Sequence, residues 1–142
     1  MNTRLTAKAS ITIAAPASKV WEALTKPELI KQYLFGSEVV TDWKEGSPIY
    51  YRGEWQGKTY EDKGTILKVE REERLVSTHW SPLSGVADSP ENYHTVTYLL
   101  SEHDGRTDLT ILQDNNGSEK EKAESEQNWK TVLAGVKKLV ES

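Results

Sequence analysis

The chain contains no cysteine, so it can form neither a disulfide bond nor a thiolate metal site. No stretch approaches the ~20 consecutive apolar residues that a membrane-spanning helix needs. Met1 to Ile13 also lack the apolar core of a signal peptide. A reducing cytoplasm is compatible with a chain without cysteine, and we expect a cytoplasmic protein with no membrane span.

Basic residues are too few to form a surface for nucleic acids. Lys and Arg number 18 against 22 Asp and Glu, which gives a net charge of −4. Because no basic stripe is present, we expect no nucleic-acid partner. A length of 142 residues suits one domain with one sizeable core, so we expect a single domain over residues 1–142.

Aromatic residues without a polar group are nearly absent. One Phe and one Met stand against five Trp and six Tyr. Trp and Tyr combine an apolar ring with an N–H or O–H group, and they are common where a surface is partly wet, as on the walls of pockets. This composition favours a protein that binds a small molecule.

The end of the chain, Ser118 to Ser142, has the spacing of one amphipathic helix. Its apolar residues recur at intervals of three and four: Trp129, Val132, Leu133, Val136, Leu139 and Val140. Ser118 and Glu121 fit a capping box at its start. We expect residues 118–127 to face solvent and residues 129–140 to grip the rest of the protein.

The residues before this helix predict mostly strands. Leu5 to Ile13 alternates between apolar and polar residues, as a half-buried strand does. Two short helices follow, one after Pro16 and one from Pro27 to about Leu34, which Gly36 ends. About six strands follow between Ser37 and Asp114, joined by turns.

Three local features are predicted within these elements. Thr25 and Glu28 fit a capping box for the second short helix. A bulge or bend is expected near Gly64, because the alternation breaks just after it. The long loop from Ser81 to Asn92 has the length of a functional lid.

This order of elements predicts an α+β fold. Consecutive hairpins pair neighbouring strands, so the sheet is expected to be an antiparallel meander. A strongly twisted sheet of this size curls. The closing helix, ~36 Å long at ~1.5 Å per residue, can lie across the concave face. Helix and sheet then enclose a cavity, and cavities bind small molecules.

Three stretches resemble a known family. They are Ala15-Pro16 with Val20 to Thr25 and Pro27-Glu28; Gly64 to Glu70 with Glu73 to Val76 and Trp80; and Asn128-Trp129 with Leu133. Together they resemble the helix-grip fold of START-like (SRPBCC, START/Bet v 1-like) proteins, in the branch named after the C-terminal domain of the activator of Hsp90 ATPase.

The resemblance implies a curved antiparallel sheet of about six or seven strands, two short helices and a long C-terminal helix around a cavity. Family members take apolar or aromatic molecules there. Tyr33 stands where relatives often carry Trp, and Glu45 to Pro48 replaces a glycine pair. Both departures lie near the expected mouth, so ligand specificity is not carried over from the family.

Nine residues are the predicted ligand-binding positions. They are Tyr33, Tyr51, Trp55, His79, Trp80, Tyr98, Trp129, Leu133 and Val136. Trp129, Leu133 and Val136 are expected to be shared between core and pocket. Either His79 or Trp80 faces the cavity, because a slip of one residue exchanges the faces of a strand.

The sequence contains no recognisable catalytic or cofactor motif. The three histidines, His79, His94 and His103, lack metal-site spacing. No nucleophile elbow or phosphate-binding glycine loop is present. We therefore expect no catalytic constellation, no metal and no cofactor. A structural or exposed role is favoured for His79. Further polar candidates for the cavity are Arg52, Glu54, Gln113 and Asp114, whereas Asp62 is interpreted as a strand-edge or turn residue.

We expect a carrier or sensor for a small hydrophobic or aromatic molecule that is lipid-, polyketide- or flavonoid-like. One alternative is a polyketide cyclase or dehydrase-like enzyme that uses His79 or a tyrosine as acid or base. The other is an interaction module for an Hsp90-type chaperone. The full activator carries a further N-terminal domain, for which 142 residues leave no room, so this alternative is disfavoured.

Overall fold

A computed structural model of the protein describes residues 5–34 and 36–142, except for the side chain of Trp55. The strands are β1 (Leu5–Ile13), β2 (Glu38–Val40), β3 (Pro48–Trp55), β4 (Lys58–Glu70), β5 (Arg74–His79), β6 (His94–His103) and β7 (Arg106–Asn116). The α-helices are α1 (Ala17–Thr25), α2 (Pro27–Tyr33) and α3 (Glu119–Glu141). Two short 3₁₀ turns, Pro82–Ser84 and Pro90–Asn92, lie in the long loop. The predicted α+β architecture is confirmed.

The seven strands form one antiparallel sheet in the order β1-β7-β6-β5-β4-β3-β2. Consecutive hairpins join β2 to β7, and β1 adds to the edge beside β7. The β3–β4 turn places Gln56 and Gly57 at φ 50° and 79°, and the β6–β7 turn places Asp104 and Gly105 at 52° and 75°. Two successive positive φ angles characterise the hairpin turn whose twist matches that of the strands.

Strand β4 carries the expected irregularity just beyond Gly64. Ile66 lies opposite Ser77 and Lys68 opposite Val76, so Leu67 is an extra residue on β4. Ile66 is therefore buried while Leu67 is exposed. The bulge turns β4 and adds to the curvature of the sheet.

Helix α3 lies across the concave face and contacts β1 most extensively. Its predicted start is confirmed, since the Ser118 Oγ accepts a hydrogen bond of 3.1 Å from the Glu121 N–H. Glu126 accepts from the Lys8 N–H at 3.0 Å, and Glu141 accepts from the Ala14 N–H at 2.8 Å. These two carboxylates hold the helix to β1 and to the residue after it. Residues 118–127 are exposed, as expected, except for the half-buried Lys122, Ser125 and Glu126.

The main core lies under the C-terminal half of α3. Val132, Leu133 and Val136 are buried there against α1 and the β1, β5, β6 and β7 strands. A smaller cluster lies under α2 and contains Ile30, Val39, Ile49 and Ile66. The sheet region beneath the N-terminal half of α3 is left for the cavity described below.

The predicted capping box of the second helix is wrong. The residue before α2 is Lys26, which makes no side-chain capping bond. Thr25 instead ends α1, and its hydroxyl donates to the Trp21 carbonyl at 2.8 Å. A threonine hydroxyl that bonds back four residues is satisfied locally and cannot cap the next helix.

No helix within the described residues is long and apolar enough to cross a membrane.

Replacement of Leu133 by alanine tests the position of the core. Leu133 is 1% exposed, so Leu133→Ala should lower the free energy of unfolding by about 2–5 kcal/mol. Leu67 is 48% exposed, and the control Leu67→Ala should change it by less than about 0.5 kcal/mol. Urea unfolding measures both. Equal effects of the two substitutions would contradict this placement of the core.

Candidate functional site

A cavity of about 320 Å³ lies between the concave face of β3 to β7 and the N-terminal half of α3. Its lining residues are Leu34, Ser37, Tyr51, Glu54, Tyr60, Asp62, Ser77, His79, Leu83, Val96, Tyr98, Gln113, Asn128, Trp129 and Val132. Leu83 belongs to the long loop, so part of this loop contributes to the wall. Aromatic and aliphatic side chains form most of the wall, and one end is polar.

The aromatic wall is built around Trp129. Its indole ring meets Tyr98 edge to face, with centroids 6.2 Å apart and planes at 85°. Its N–H donates to the Gln113 Oε1 at 2.7 Å. Since that N–H already has a partner, Trp129 presents its ring rather than a donor to the cavity.

Gln113 is itself held in place by a chain of hydrogen bonds. Its Nε2 donates to the Ser125 Oγ at 3.4 Å, and Ser125 donates to the Asn116 Oδ1 at 3.0 Å. Asn116 is 1% exposed and donates to the Leu5 and Gln113 carbonyls. The network links α3 to β7 and β1, and it sets the orientation of Trp129.

The polar end consists of His79 and Asp62. The His79 Nε2 lies 3.0 Å from the Asp62 Oδ2. The Tyr51 ring packs edge-on against the imidazole, with centroids 5.6 Å apart and planes at 69°. The second carboxylate oxygen, Asp62 Oδ1, is buried and has no hydrogen-bond partner among the described residues.

Strand alternation explains how this pair forms. Asp62 and Ile66 face inward, and Gly64 between them does the same. Gly64 lies between the Ile66–Ser77 and Lys63–Trp80 pairs, which places it opposite His79. Because Gly64 has no side chain, the imidazole can lean across it towards Asp62.

A side chain at Gly64 would also be incompatible with the sheet. A Cβ atom there would lie 1.7 Å from the Thr78 carbonyl oxygen. The backbones of β4 and β5 therefore approach each other at this point as only glycine allows.

Tyr60 forms the rim of the cavity beside Ser37. The two hydroxyls are 2.7 Å apart. On the neighbouring strand Gly53 lies directly opposite Tyr60, and a Cβ atom there would be 2.5 Å from its hydroxyl oxygen. The absence of a side chain at Gly53 thus lets the Tyr60 ring lie across β3.

Three tyrosines, Tyr33, Tyr51 and Tyr98, are neutral at physiological pH. Burial raises the pKa of Tyr51 to about 12, and the nearby Asp62 carboxylate adds to the rise while the Ser77 hydroxyl opposes it. Burial also raises the pKa of Tyr98 well above its usual range, and the pKa of Tyr33 rises for the same reason. Their hydroxyls therefore act as neutral hydrogen-bonding groups.

Four of the nine predicted positions lie on the cavity wall: Tyr51, His79, Tyr98 and Trp129. Their part in binding stays a prediction. The backbone of Trp55 belongs to β3, while its side chain lies outside the described residues. The structure thus resolves one alternative: His79 faces the cavity.

Trp80 faces away from the cavity, since it follows His79 directly beyond the end of β5 and pairs with Lys63. Its ring stacks on Tyr93 at 6.3 Å, the Lys63 ammonium lies 5.7 Å from its centroid, and its N–H donates to the Val86 carbonyl at 3.3 Å. Trp80 therefore fastens the long loop to the outer face of the sheet.

The other three positions belong to the packing of the helices. Leu133 and Val136 point into the core and do not line the cavity. The apolar stripe of α3 covers both the core and the cavity, and of its buried valines and leucine only Val132 contributes to the cavity wall. The Tyr33 hydroxyl donates to the Ala23 carbonyl at 2.7 Å, and its Cβ lies close to Gly135. Tyr33 thus joins α2 to α1 and α3.

One polar lining residue, Asp62, was interpreted wrongly from the sequence. Asp62 is neither a strand-edge nor a turn residue, because it lies inside β4 and lines the cavity. The signal was its two-residue spacing from Tyr60 and Gly64 on one strand face. Gln113 is one of the predicted polar candidates and lines the cavity, but its bond to Trp129 could not be predicted, since it depends on a contact with a residue of α3. No group of three His, Cys, Asp or Glu side chains that could hold a metal occurs in the described residues.

A long helix that closes a curved seven-stranded antiparallel sheet over a cavity defines the helix-grip class of START-like domains. Within this class, the family model of the activator of Hsp90 ATPase homolog 1-like protein matches residues 14–141. The chain therefore belongs to this family, as the sequence resemblance predicted.

Solved structures agree with this assignment. The chain is similar to ChR145 from Cytophaga hutchinsonii, with 52% identity and a TM-score of 0.88 over 99% of this chain and 97% of that one. CalU16 from Micromonospora echinospora shares the fold at 22% identity and a TM-score of 0.70, over 99% and 87% of the two chains.

Aha1 from Colwellia psychrerythraea, solved as a dimer, shares the fold at 16% identity and a TM-score of 0.74, with 96% of each chain covered. None of the curated proteins matches the chain. A chaperone partner and a cytoplasmic location stay predictions.

The pKa of Tyr51 leads to a prediction for alkaline unfolding. A tyrosine in the unfolded chain has a pKa of about 10, while that of folded Tyr51 is about 12. The folded state keeps a proton that the unfolded state loses, so the stability from this group is complete below pH ~10 and falls as pH rises towards ~12. In Tyr51→Phe the free energy of unfolding should fall less steeply with pH. One proton fewer is then released on unfolding, which changes the slope by up to about 1.4 kcal/mol per pH unit.

Urea unfolding at intervals between about pH 9 and pH 11.5 measures the two slopes. Identical slopes for the wild-type protein and the variant would show that the Tyr51 hydroxyl is not held neutral by burial.

Proposed function

We propose that the protein binds a small, mainly apolar aromatic molecule in the cavity between the sheet and α3, as a carrier or sensor. The observation that carries this proposal is the cavity itself. Its volume of about 320 Å³ lies at the small end of the range for ligand pockets, about 300–1,000 Å³. A ligand of one to three rings suits this size.

The volume is too large for a packing defect. Protein interiors are close-packed, and voids larger than one water molecule are few. A cavity of about 320 Å³ has room for about ten waters at ~30 Å³ each. An apolar wall holds such waters weakly, so an apolar ligand that displaces them gains free energy from the burial of its surface.

The wall is prepared for aromatic rings in particular. Tyr98 and Trp129 already meet edge to face, and Gln113 holds the indole in this position. A planar ligand can stack on one ring and meet the edge of another, which adds to simple burial. Because the protein side chains are ordered before binding, little conformational entropy is lost when the ligand enters.

The His79–Asp62 pair favours a second candidate function, acid–base catalysis on the bound molecule. A carboxylate that bonds one ring nitrogen orients the imidazole and leaves the other nitrogen free to move a proton. Turnover of a bound compound by the wild-type protein, lost in His79→Gln while binding persists, would establish this enzyme. Binding without turnover supports the carrier or sensor.

The proposal is tested by binding of a panel of flavonoid-like, polyketide-like and lipid-like compounds, followed by amide and indole N–H NMR shifts. At least one aromatic compound should shift the signals of Tyr98, Gln113 and Trp129. Val132→Phe should then weaken its affinity about tenfold or more, because the larger ring occupies part of the cavity.

Val140→Phe provides the matched control. Val140 lies on the same helix but outside the cavity lining, so the same substitution there should leave the affinity within about twofold of the wild type. NMR spectra of both variants verify that they are folded. If no compound shifts the signals of the cavity wall, the proposed function is wrong.

A further inference from the structure

The charge of the cavity wall restricts the class of ligand. Two carboxylates belong to the lining, Glu54 at the exposed rim and Asp62 deeper inside. None of the described lining residues is Lys or Arg. An anionic ligand would thus meet negative charge without a compensating cation, and a low-dielectric site strengthens that repulsion.

The basic residues nearest to Asp62 along the sheet are directed elsewhere. Lys63 follows it on β4 and forms an ion pair with Asp88 on the outer face. Arg52 pairs with Glu61 at 2.6 Å, also on the solvent side. Among the described residues, the side chain that forms a hydrogen bond with the Asp62 carboxylate is therefore His79.

Asp62 has acceptor capacity that the protein does not use. A carboxylate offers about four lone-pair sites, and His79 occupies one of them, at the Oδ2. The Oδ1 is buried and has no partner among the described residues, and the side chain is only 16% exposed. A buried acceptor without a partner is rare in folded proteins and needs an explanation.

A donor on the ligand would supply the missing partner. Tyr51 lies directly opposite Asp62 on β3 and packs against the imidazole. A ligand ring that lies between the aromatic walls can direct a substituent towards this carboxylate. Because the Oδ1 itself has no surface open to the cavity, a partial rotation about the Asp62 Cβ–Cγ bond, whose torsion is broad, must turn it towards the donor.

We propose that Asp62 is the specificity-determining residue of the cavity: it accepts a hydrogen bond from an O–H or N–H group on an aromatic ligand, so that the site selects phenols or arylmethylamines and rejects carboxylates. This inference rests on the proposed function. His79 is a positioning residue in it, because its bond to the Oδ2 holds the carboxylate in place.

Four compounds on one bicyclic skeleton test the selection: 2-naphthol, 2-methoxynaphthalene, 2-naphthylmethylamine and 2-naphthoate. They differ in the substituent, which is a neutral donor, an acceptor only, a cationic donor or an anion. NMR titration of the full chain at pH 7 gives each dissociation constant. The wild-type protein should bind naphthol or the amine about tenfold or more tightly than the methyl ether, and naphthoate most weakly.

The matched variants are Asp62→Asn and Glu61→Gln. Each replaces a carboxylate by an amide on β4, but Glu61 faces solvent and Asp62 the cavity. In Asp62→Asn the advantage of the donors over the ether should fall to about twofold or less, and naphthoate should bind more tightly than it binds to the wild type. Glu61→Gln should keep the wild-type order of the four compounds.

The outcomes separate the two proposals. If the methyl ether binds the wild-type protein as tightly as naphthol, or naphthoate binds most tightly, the inference about Asp62 is wrong while the binding function stands. If none of the four compounds and none of the wider panel binds, the proposed function itself is wrong. The wild-type series alone decides the inference if Asp62→Asn fails to fold. A preference for the amine over naphthol shows that a positive charge adds to the hydrogen bond, and the reverse shows that a neutral donor is sufficient.

Discussion

The packing of α3 across the concave face of the sheet is the contact on which the rest of the structure depends. Val132, Leu133 and Val136 are almost inaccessible to solvent there, and burial of such side chains is the main source of folding free energy. Glu126 and Glu141 fix the helix to the N–H groups of the first strand and its end. Without this helix the sheet would have one uncovered apolar face and no cavity.

The same helix separates a packed half from an open half. Towards its C-terminus it lies on α1 and on strands that carry small and branched apolar residues, so the space is filled. Towards its N-terminus the strands carry Tyr98 and Gln113, whose polar groups are bonded or face an open space. Core and cavity are therefore two parts of one interface.

The polar end of the cavity depends on a glycine. Gly64 brings β4 and β5 together and lets His79 reach across to Asp62. A larger residue at that position would separate the strands and fill the space between the two side chains. One position without a side chain thus contributes both to the close approach of two strands and to the arrangement of the polar groups in the site.

Local patterns in the sequence determined the elements: the alternation of β1, the turn residues Gln56-Gly57 and Asp104-Gly105, and the spacing of the apolar residues of α3. These patterns work because period and turn chemistry depend on neighbours along the chain. Together with the family resemblance they were sufficient for the fold.

Only the tertiary structure decided which of these side chains share the cavity. His79 or Trp80 could face inward until the register between β4 and β5 was known, because neighbours on a strand point to opposite faces. Val132 and Leu133 are adjacent in sequence and both belong to the core, yet only Val132 also lines the cavity. The pairs His79–Asp62 and Trp129–Gln113 join residues 17 and 16 positions apart, and contacts between separate elements leave no pattern in the sequence.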